Sequence, residues 1–386
     1  MITTVAVANY RSLHDVRIGL GPLTVVTGAN GSGKSSLYRA LRLLADCARG
    51  DVVGSLAREG GLPSALWAGP ESFGTRVRSG ASPVQGTRRS GPVSLLLGFA
   101  SDGFGYVADL GLPIPSDSAF GLDPEIKREL VWSGPVLRPA ATLVRRRGPL
   151  VEVRGEDGFT PVTDQLRSFD SALAEIGDPE RSPELLAVRE QLRSWRFYDG
   201  FRTDPDAPAR RTQIGTRTPV LSDDGRDLAA ALQTIREIGA RADLDRAVDD
   251  AFPGSELDVV VESGRFDLTL RQPGLLRALR TAELSDGTLR FLLWVAALLS
   301  PRPGALVVLN EPETSLHPDL LPALGRLVSA ASSRTQVLVV THDARLVAQL
   351  DAVPGVVSLE LVKELGETRV AGAGRLDQPP WSWGSR

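Results

Sequence analysis

Residues 3–8 are rich in β-forming apolar side chains, Val16 and Ile18 alternate with polar neighbours, and Gly21-Pro22 breaks the pattern before an apolar run at residues 23–27. This spacing predicts strand, turn and strand. The period then becomes helical: Leu37, Leu41, Leu44 and Ala48 fall on one face, and a helix is expected from the lysine that closes a glycine-rich loop. Gly and Pro punctuate residues 50–92, after which β-like segments at 93–100, 105–110, 128–132 and 142–153 predict an antiparallel sheet. Residues 165–195 read as helix broken at Pro179 and Pro183, 204–217 as a loop, and 228–248 as helix. A hairpin turning at Ser263-Gly264 is expected over 256–270. Helix 288–299, buried strand 306–309, a helix from 320 and strand 336–340 follow. Alternating β and α at both ends predicts one parallel sheet, and the chain ends in a tail containing Pro and Trp.

Composition narrows the class. In 386 residues, 42% hydrophobic and 24% charged side chains place the chain among globular proteins. The net charge of -3 conceals 44 basic and 47 acidic residues, so a nucleic-acid surface would have to be a local patch. Cys47 is the single cysteine, which excludes an internal disulfide and a multi-cysteine metal knuckle. With no basic and apolar leader, and with the longest clean apolar run at residues 291–299, about half of a membrane span, a cytoplasmic protein without membrane contact is expected.

The sharpest motif runs Gly28-Ala29-Asn30-Gly31-Ser32-Gly33-Lys34-Ser35, a full GxxxxGK[ST] loop between an apolar strand and a helix. Its glycines let backbone amides curl around phosphates, with Asn30, Gly31, Ser32, Gly33 and Ser36 as lining residues. Lys34 would span the β and γ oxygens, and Ser35 would offer its hydroxyl to Mg²⁺. Asn310-Glu311 ends the strand at 306–309, at the strand edge where open α/β sheets bind ligands. Glu311 is the candidate general base for an attacking water. Asn310 stands where an aspartate would help to hold Mg²⁺, which leaves two readings: it serves through a metal-bound water, or the metal is weakly held and turnover is slow.

Two further segments complete the set. Leu284-Ser285-Asp286-Gly287-Thr288 is a good helix N-cap alone, yet the Ser285 hydroxyl, the Gly287 amide and a helix N-terminus also form an anion site. Because the loop already holds the nucleotide's own phosphates, such a site has a use if it grips ATP bound to another copy. Thr341-His342 ends the strand at 336–340, where His342 could sense the γ-phosphate.

These elements in this order, with Glu313-Thr314-Ser315-Leu316-His317-Pro318 directly after the base, resemble the RecF/SMC/OLD-like group of ABC-type ATPases, in particular its stand-alone bacterial members. The resemblance covers Asn9-Tyr10-Arg11-Ser12 with the phosphate loop, and residues 283–346. It implies an α/β P-loop NTPase, an ABC-ATPase-like head with a parallel core sheet, an antiparallel β-subdomain and an inserted helical lobe. One head is expected over 1–386, with a Walker A half (1–50), a β-rich and helical insertion (51–280), and a signature, Walker B and switch half (281–386). It further implies ATP and Mg²⁺ as cofactors, and catalytic roles for Lys34, Glu311 and His342. It also implies an ATP-dependent head-to-head homodimer in which Ser285 and Gly287 close the opposite site. Residues 314–318 look like the D-loop, and Arg11 matches a position near the nucleotide; the Q-loop glutamine is not identifiable.

Missing heptad arms argue against a tethering machine, and the short tail leaves no room for the nuclease domain of OLD-type relatives. Two outputs stay open. One is hydrolysis coupled to double-stranded DNA in repair, recombination or defence, through Arg88-Arg89, Arg145-Arg146-Arg147 or Arg210-Arg211. The other is a regulatory switch read by an effector protein. Trp195, Phe197, Tyr198 and Phe201 are read as packing rather than as a base-stacking surface.

Overall fold

The computed structural model describes residues 1–71, 77, 94–374 and 377–385. The chain divides into two compact units, residues 1–21, 27–193 and 359–386 in the first and residues 22–26 and 194–358 in the second.

The first unit is built on an eight-stranded antiparallel sheet. Strands β1 (Ile2–Tyr10) and β2 (Leu13–Gly19) form the opening hairpin, and β3 (Leu23–Gly28) crosses from the second unit into the first at Thr27. The sheet continues through β4 (Leu95–Ser101), β5 (Phe104–Gly111), β6 (Glu125–Ser133), β7 (Thr142–Arg147), β8 (Leu150–Gly155) and β9 (Gly158–Thr163) in the order β2-β1-β4-β5-β6-β7-β8-β9. The segment expected as one strand over 142–153 is a hairpin, because Gly148 adopts φ 59° and turns the chain. Helix Lys34–Arg49 buries Leu37, Leu41 and Leu44 and lies against β1, β4 and helix Pro183–Arg193. That second helix starts at the proline that the sequence marks as a break, the position where a missing N–H costs least.

The second unit carries the parallel strands β10 (Arg196–Asp199), β15 (Leu306–Asn310), β16 (Gln336–Val340) and β3, in that order. Its smaller sheet holds β11 (Gln213–Ile214), β12 (Glu256–Glu262), β13 (Arg265–Arg271) and β14 (Leu279–Arg280). The β12–β13 hairpin turns at Ser263-Gly264 as expected, both residues having positive φ. Residues 228–248, expected as one helix, are two, Leu228–Ile238 and Arg241–Ala251, parted at Gly239. Helix Asp286–Leu298 buries every residue from Phe291 to Leu298, as a helix apolar all round must. It sits in one continuous core with Val307, Leu309, Leu324 and Val339.

The C-terminal residues return to the first unit. Strands β17 (Val357–Glu364) and β18 (Glu367–Val370) pair through a tight turn at Leu365-Gly366, and Trp381 packs edge-on against Trp132. No helix among the described residues is long and apolar enough to cross a membrane.

Candidate functional site

In the first unit, the loop after β3 is shaped by close approach of the β17 backbone and a β18 side chain. Gly28 has φ 142°, and a Cβ there would lie 2.3 Å from the Leu361 carbonyl oxygen; Gly33 has φ 111°, and a Cβ there would lie 2.2 Å from Thr368 Oγ1. Both positions therefore require glycine, whereas Gly31, φ 78°, faces open space. Lys34, 5% exposed, donates from Nζ to the carbonyls of Gly28 at 2.6 Å and Ala29 at 3.2 Å. Thr368 holds the loop from β18 by donating to the Ser32 carbonyl at 2.7 Å.

Helix Lys34–Arg49 starts with no side-chain cap and no acidic residue in its first turn, so its leading N–H groups are left for an anion. Ser35 is exposed at that end and Ser36 half-buried, while Asn30 and Gly31 are exposed. The buried Ser32 Oγ has no hydrogen-bond partner among the described residues. Uncapped amides, an adaptable lysine and a free hydroxyl fit a polyphosphate.

In the second unit, register places Asp199, Asn310, Val340 and Val26 side by side, so β10, β15, β16 and β3 present their C-terminal ends along one edge. The Glu311 amide donates to the Val340 carbonyl at 2.8 Å, and Glu311 takes φ 48°, a left-handed conformation uncommon outside glycine. His342 is exposed; its Nδ1 lies 3.8 Å from Glu311 Oε1 and 3.3 Å from Glu313 Oε1. Buried Glu313 accepts from the Thr341 hydroxyl and the His342 amide, which ties the end of β16 to the segment after β15. Glu313 has no role of its own assigned from the sequence, although it lies two residues beyond the candidate base in a segment already singled out.

Asn310 differs from the expected metal-facing acceptor. Its Nδ2 donates to Asp199 Oδ1 at 2.8 Å, while its Oδ1 is buried without a partner among the described residues. Asp199 was missed because β10 is a short strand with a charged residue at each end, with nothing local to mark its end as the neighbour of Asn310.

Ser285 caps helix Asp286–Leu298 by accepting from the Thr288 amide, and remains exposed beside half-buried Gly287. Arg210 shapes the approach to this cap, donating to the carbonyls of Thr203, Thr281, Ala282 and Leu284 and to Asp286 Oδ1 at 2.6 Å. Arg290, on the same helix, donates to the Thr314 carbonyl at 2.7 Å and so links this helix to the segment after β15. Burial pushes its guanidinium pKa down.

Of the basic residues that could contact a duplex, Arg145, Arg146 and Arg210 are engaged inside the fold. Arg146 is fully buried and pairs with Glu129 at 2.8 Å, Arg145 pairs with Glu152 at 2.7 Å, and Arg210 is the signature brace just described. Alternation along β7 is the cause, since Arg146 shares the inward face with Val144. Arg147 and Arg211 are exposed; Arg88 and Arg89 lie outside the described residues. Arg11, φ 48°, donates to Glu59 Oε2 at 2.7 Å beside the Tyr10 hydroxyl, within the first unit. Burial together with the Glu59 carboxylate pushes the Tyr10 pKa up. Trp195, Phe197, Tyr198 and Phe201 are buried, as packing requires.

A 56-residue stretch, 14% of this chain and 10% of the relative, is 43% identical to an OLD nuclease of Thermus scotoductus, so the chain matches only a small part of that protein's length. The SMC head domain from Thermotoga maritima shares the fold, with a TM-score of 0.50, 14% identity, and coverage of 97% of this chain and 99% of that one. A family model described as "AAA domain, putative AbiEii toxin, Type IV TA system" matches residues 23–348. The chain belongs to that family, and is an ATPase-family protein of the RecF/SMC/OLD-like ABC type.

Proposed function

We propose that this protein hydrolyses Mg-ATP and that ATP binding joins two copies head to head. Lys34 and the loop residues Asn30, Gly31, Ser32, Gly33 and Ser36 hold the phosphates, and Arg11 is assigned to contact the nucleotide. Ser35 and Asn310 are the residues assigned to the metal. A bound Mg²⁺ would supply positive charge against the charge that develops on the transferred phosphoryl group. Glu311 orients and deprotonates the attacking water, His342 reads the γ-phosphate, and Ser285 and Gly287 of the second copy close the site. The Ser285 hydroxyl accepts from the Thr288 amide and lies 2.8 Å from the Thr288 hydroxyl at the exposed start of its helix. A ligand gripped by both copies stabilises the pair by linkage.

The observation that carries this reading is Glu311, held at positive φ just past a parallel strand with a histidine 3.8 Å from its carboxylate. Strained backbone at a strand end supports a functional placement of that carboxylate. Engagement of Arg145, Arg146 and Arg210 in internal pairs favours the second of the two outputs, a switch read by an effector protein, over coupling to duplex DNA in repair, recombination or defence.

Steady-state Mg-ATP hydrolysis by the wild type and Glu311→Gln, each with and without double-stranded DNA across a salt series, tests both levels. Hydrolysis lost in the variant and indifferent to DNA supports the switch. Stimulation by DNA that fades with salt moves the reading to the DNA-coupled form. Equal rates in the two proteins overturn the assignment of the base.

A further inference from the structure

We propose that the negative charge missing at Asn310 is supplied by Asp199, one strand over, and that Asn310 acts as the positioning residue that aims it at the metal. The proposal rests on the reading of this edge as a Mg-ATP site.

Asp199 and Asn310 are direct register partners on adjacent parallel strands, so their side chains leave the sheet on the same side. The 2.8 Å bond runs from Asn310 Nδ2 to Asp199 Oδ1, and a carboxylate accepts only, which fixes the orientation of the amide. The amide oxygen then points inward, where it is closed to solvent and lacks a partner among the described residues. An aspartate at position 310 would place two carboxylates within hydrogen-bond distance and they would repel. Asparagine instead donates, and converts the contact from repulsion to a charge-assisted hydrogen bond. Asp199 is exposed, so its carboxylate is open to a cation from solvent.

The displacement is one inter-strand spacing, about 4.8 Å. Magnesium ordinarily keeps several of its waters, so a carboxylate set back by that distance serves through one of them. The pair thus carries the same single charge as an aspartate at position 310, distributed over two strands. This decides between the two roles open to Asn310: metal binding is preserved, with the charge relocated.

The test is the metal dependence of nucleotide binding, independent of turnover. In a Glu311→Gln background, the affinity for a fluorescent ATP analogue is measured in Mg²⁺ and in EDTA, and the ratio gives the metal coupling. Asp199→Asn is expected to reduce that ratio by about tenfold or more, the usual effect of losing a residue that orients metal ligands or their waters, with affinity in EDTA unchanged. Asn310→Ala, which keeps the carboxylate and removes its holder, should give a smaller loss, and Asp199→Asn with Asn310→Asp should recover most of the ratio. If Asp199→Asn also weakens binding in EDTA, the double variant decides: recovery of the ratio supports the proposal, and no recovery overturns it. A ratio unchanged in Asp199→Asn, beside clear metal coupling in the parent, overturns the inference and leaves the proposed function standing. No nucleotide binding by the parent under either condition overturns the proposed function itself.

Discussion

The Thr341 hydroxyl donates to Glu313 Oε1 at 2.7 Å, and the His342 amide reaches the same oxygen at 3.1 Å. One buried carboxylate, two residues past the candidate base, therefore sets the backbone that carries the candidate γ-phosphate sensor. Thr341→Val keeps the shape and removes a donor from a carboxylate that would then lie buried and under-satisfied, a loss of about 1–3 kcal/mol. Urea unfolding should register that loss, and single-turnover hydrolysis should slow while nucleotide affinity holds. Unchanged stability and unchanged turnover would show that this bond does not organise the switch.

Arg146 makes the opposite case, a charged side chain expected at a surface and found in a core. It donates from Nε to the Gly148 carbonyl and from Nη2 to the Arg167 carbonyl, and also bonds the Asp170 carbonyl, while its partner Glu129 takes the Tyr106 and Ser171 hydroxyls at 2.6 Å each. Arg146→Met strands the carboxylate and should cost about 3–5 kcal/mol, seen as a lowered urea midpoint. Any salt-sensitive DNA affinity should respond to Arg147→Ala instead, since Arg147 is exposed. Loss of DNA affinity in a fully stable Arg146→Met protein would reverse this assignment.

The elements legible in the sequence are those whose signal is local. The phosphate loop declares itself through Gly28, Gly33 and Lys34 between an apolar strand and a helix, and Leu306–Asn310 and Gln336–Val340 are apolar runs bounded by turn residues. Strand Arg196–Asp199 was illegible for the converse reason: its four residues include two charged ones, and its partner Asn310 lies 111 residues away. Gly239 was read through as helix interior, yet a Cβ there would meet the Ile235 carbonyl oxygen at 2.9 Å, a sign of chain crowding that only coordinates reveal. The inward turn of Arg146 could have been suspected, because period-two alternation aligns it with Val144 and Thr142.

Glu283 precedes the signature segment and accepts from the Arg277 guanidinium at 2.6 Å and from the Arg280 amide at 2.9 Å. These bonds, the first above all, hold its pKa down to about 2 from an ordinary 4.5. A carboxylate depressed in the folded state stabilises in full above its unfolded pKa and loses that contribution as pH falls through its folded one. The difference in melting temperature between wild type and Glu283→Gln should accordingly be constant above pH 4.5, and should shrink below it toward zero near 2. A difference that grows on acidification would contradict the sign.

Thr368 lies beyond the family match, which ends at residue 348, yet it sets the shape of the family's phosphate loop in this chain. Its hydroxyl donates to the Ser32 carbonyl at 2.7 Å and lies 2.8 Å from Ser12 Oγ, and its amide donates to the Ser12 carbonyl at 2.8 Å. Because a Cβ on Gly33 would collide with this same side chain, β18 acts as a template against which the loop is moulded. Thr368→Val keeps the volume and removes the bond to the loop, so the fold should survive with a loss of about 1 kcal/mol. The loop's preorganisation should suffer more than the fold, raising the Kd for ATP by several-fold in Mg²⁺ and in EDTA alike, in contrast to Asp199→Asn. Thr368→Ser, which restores the hydroxyl, should return the affinity toward wild type. Equal ATP affinity in Thr368→Val and wild type, measured by titration of a fluorescent analogue, would show that the loop holds its shape unaided.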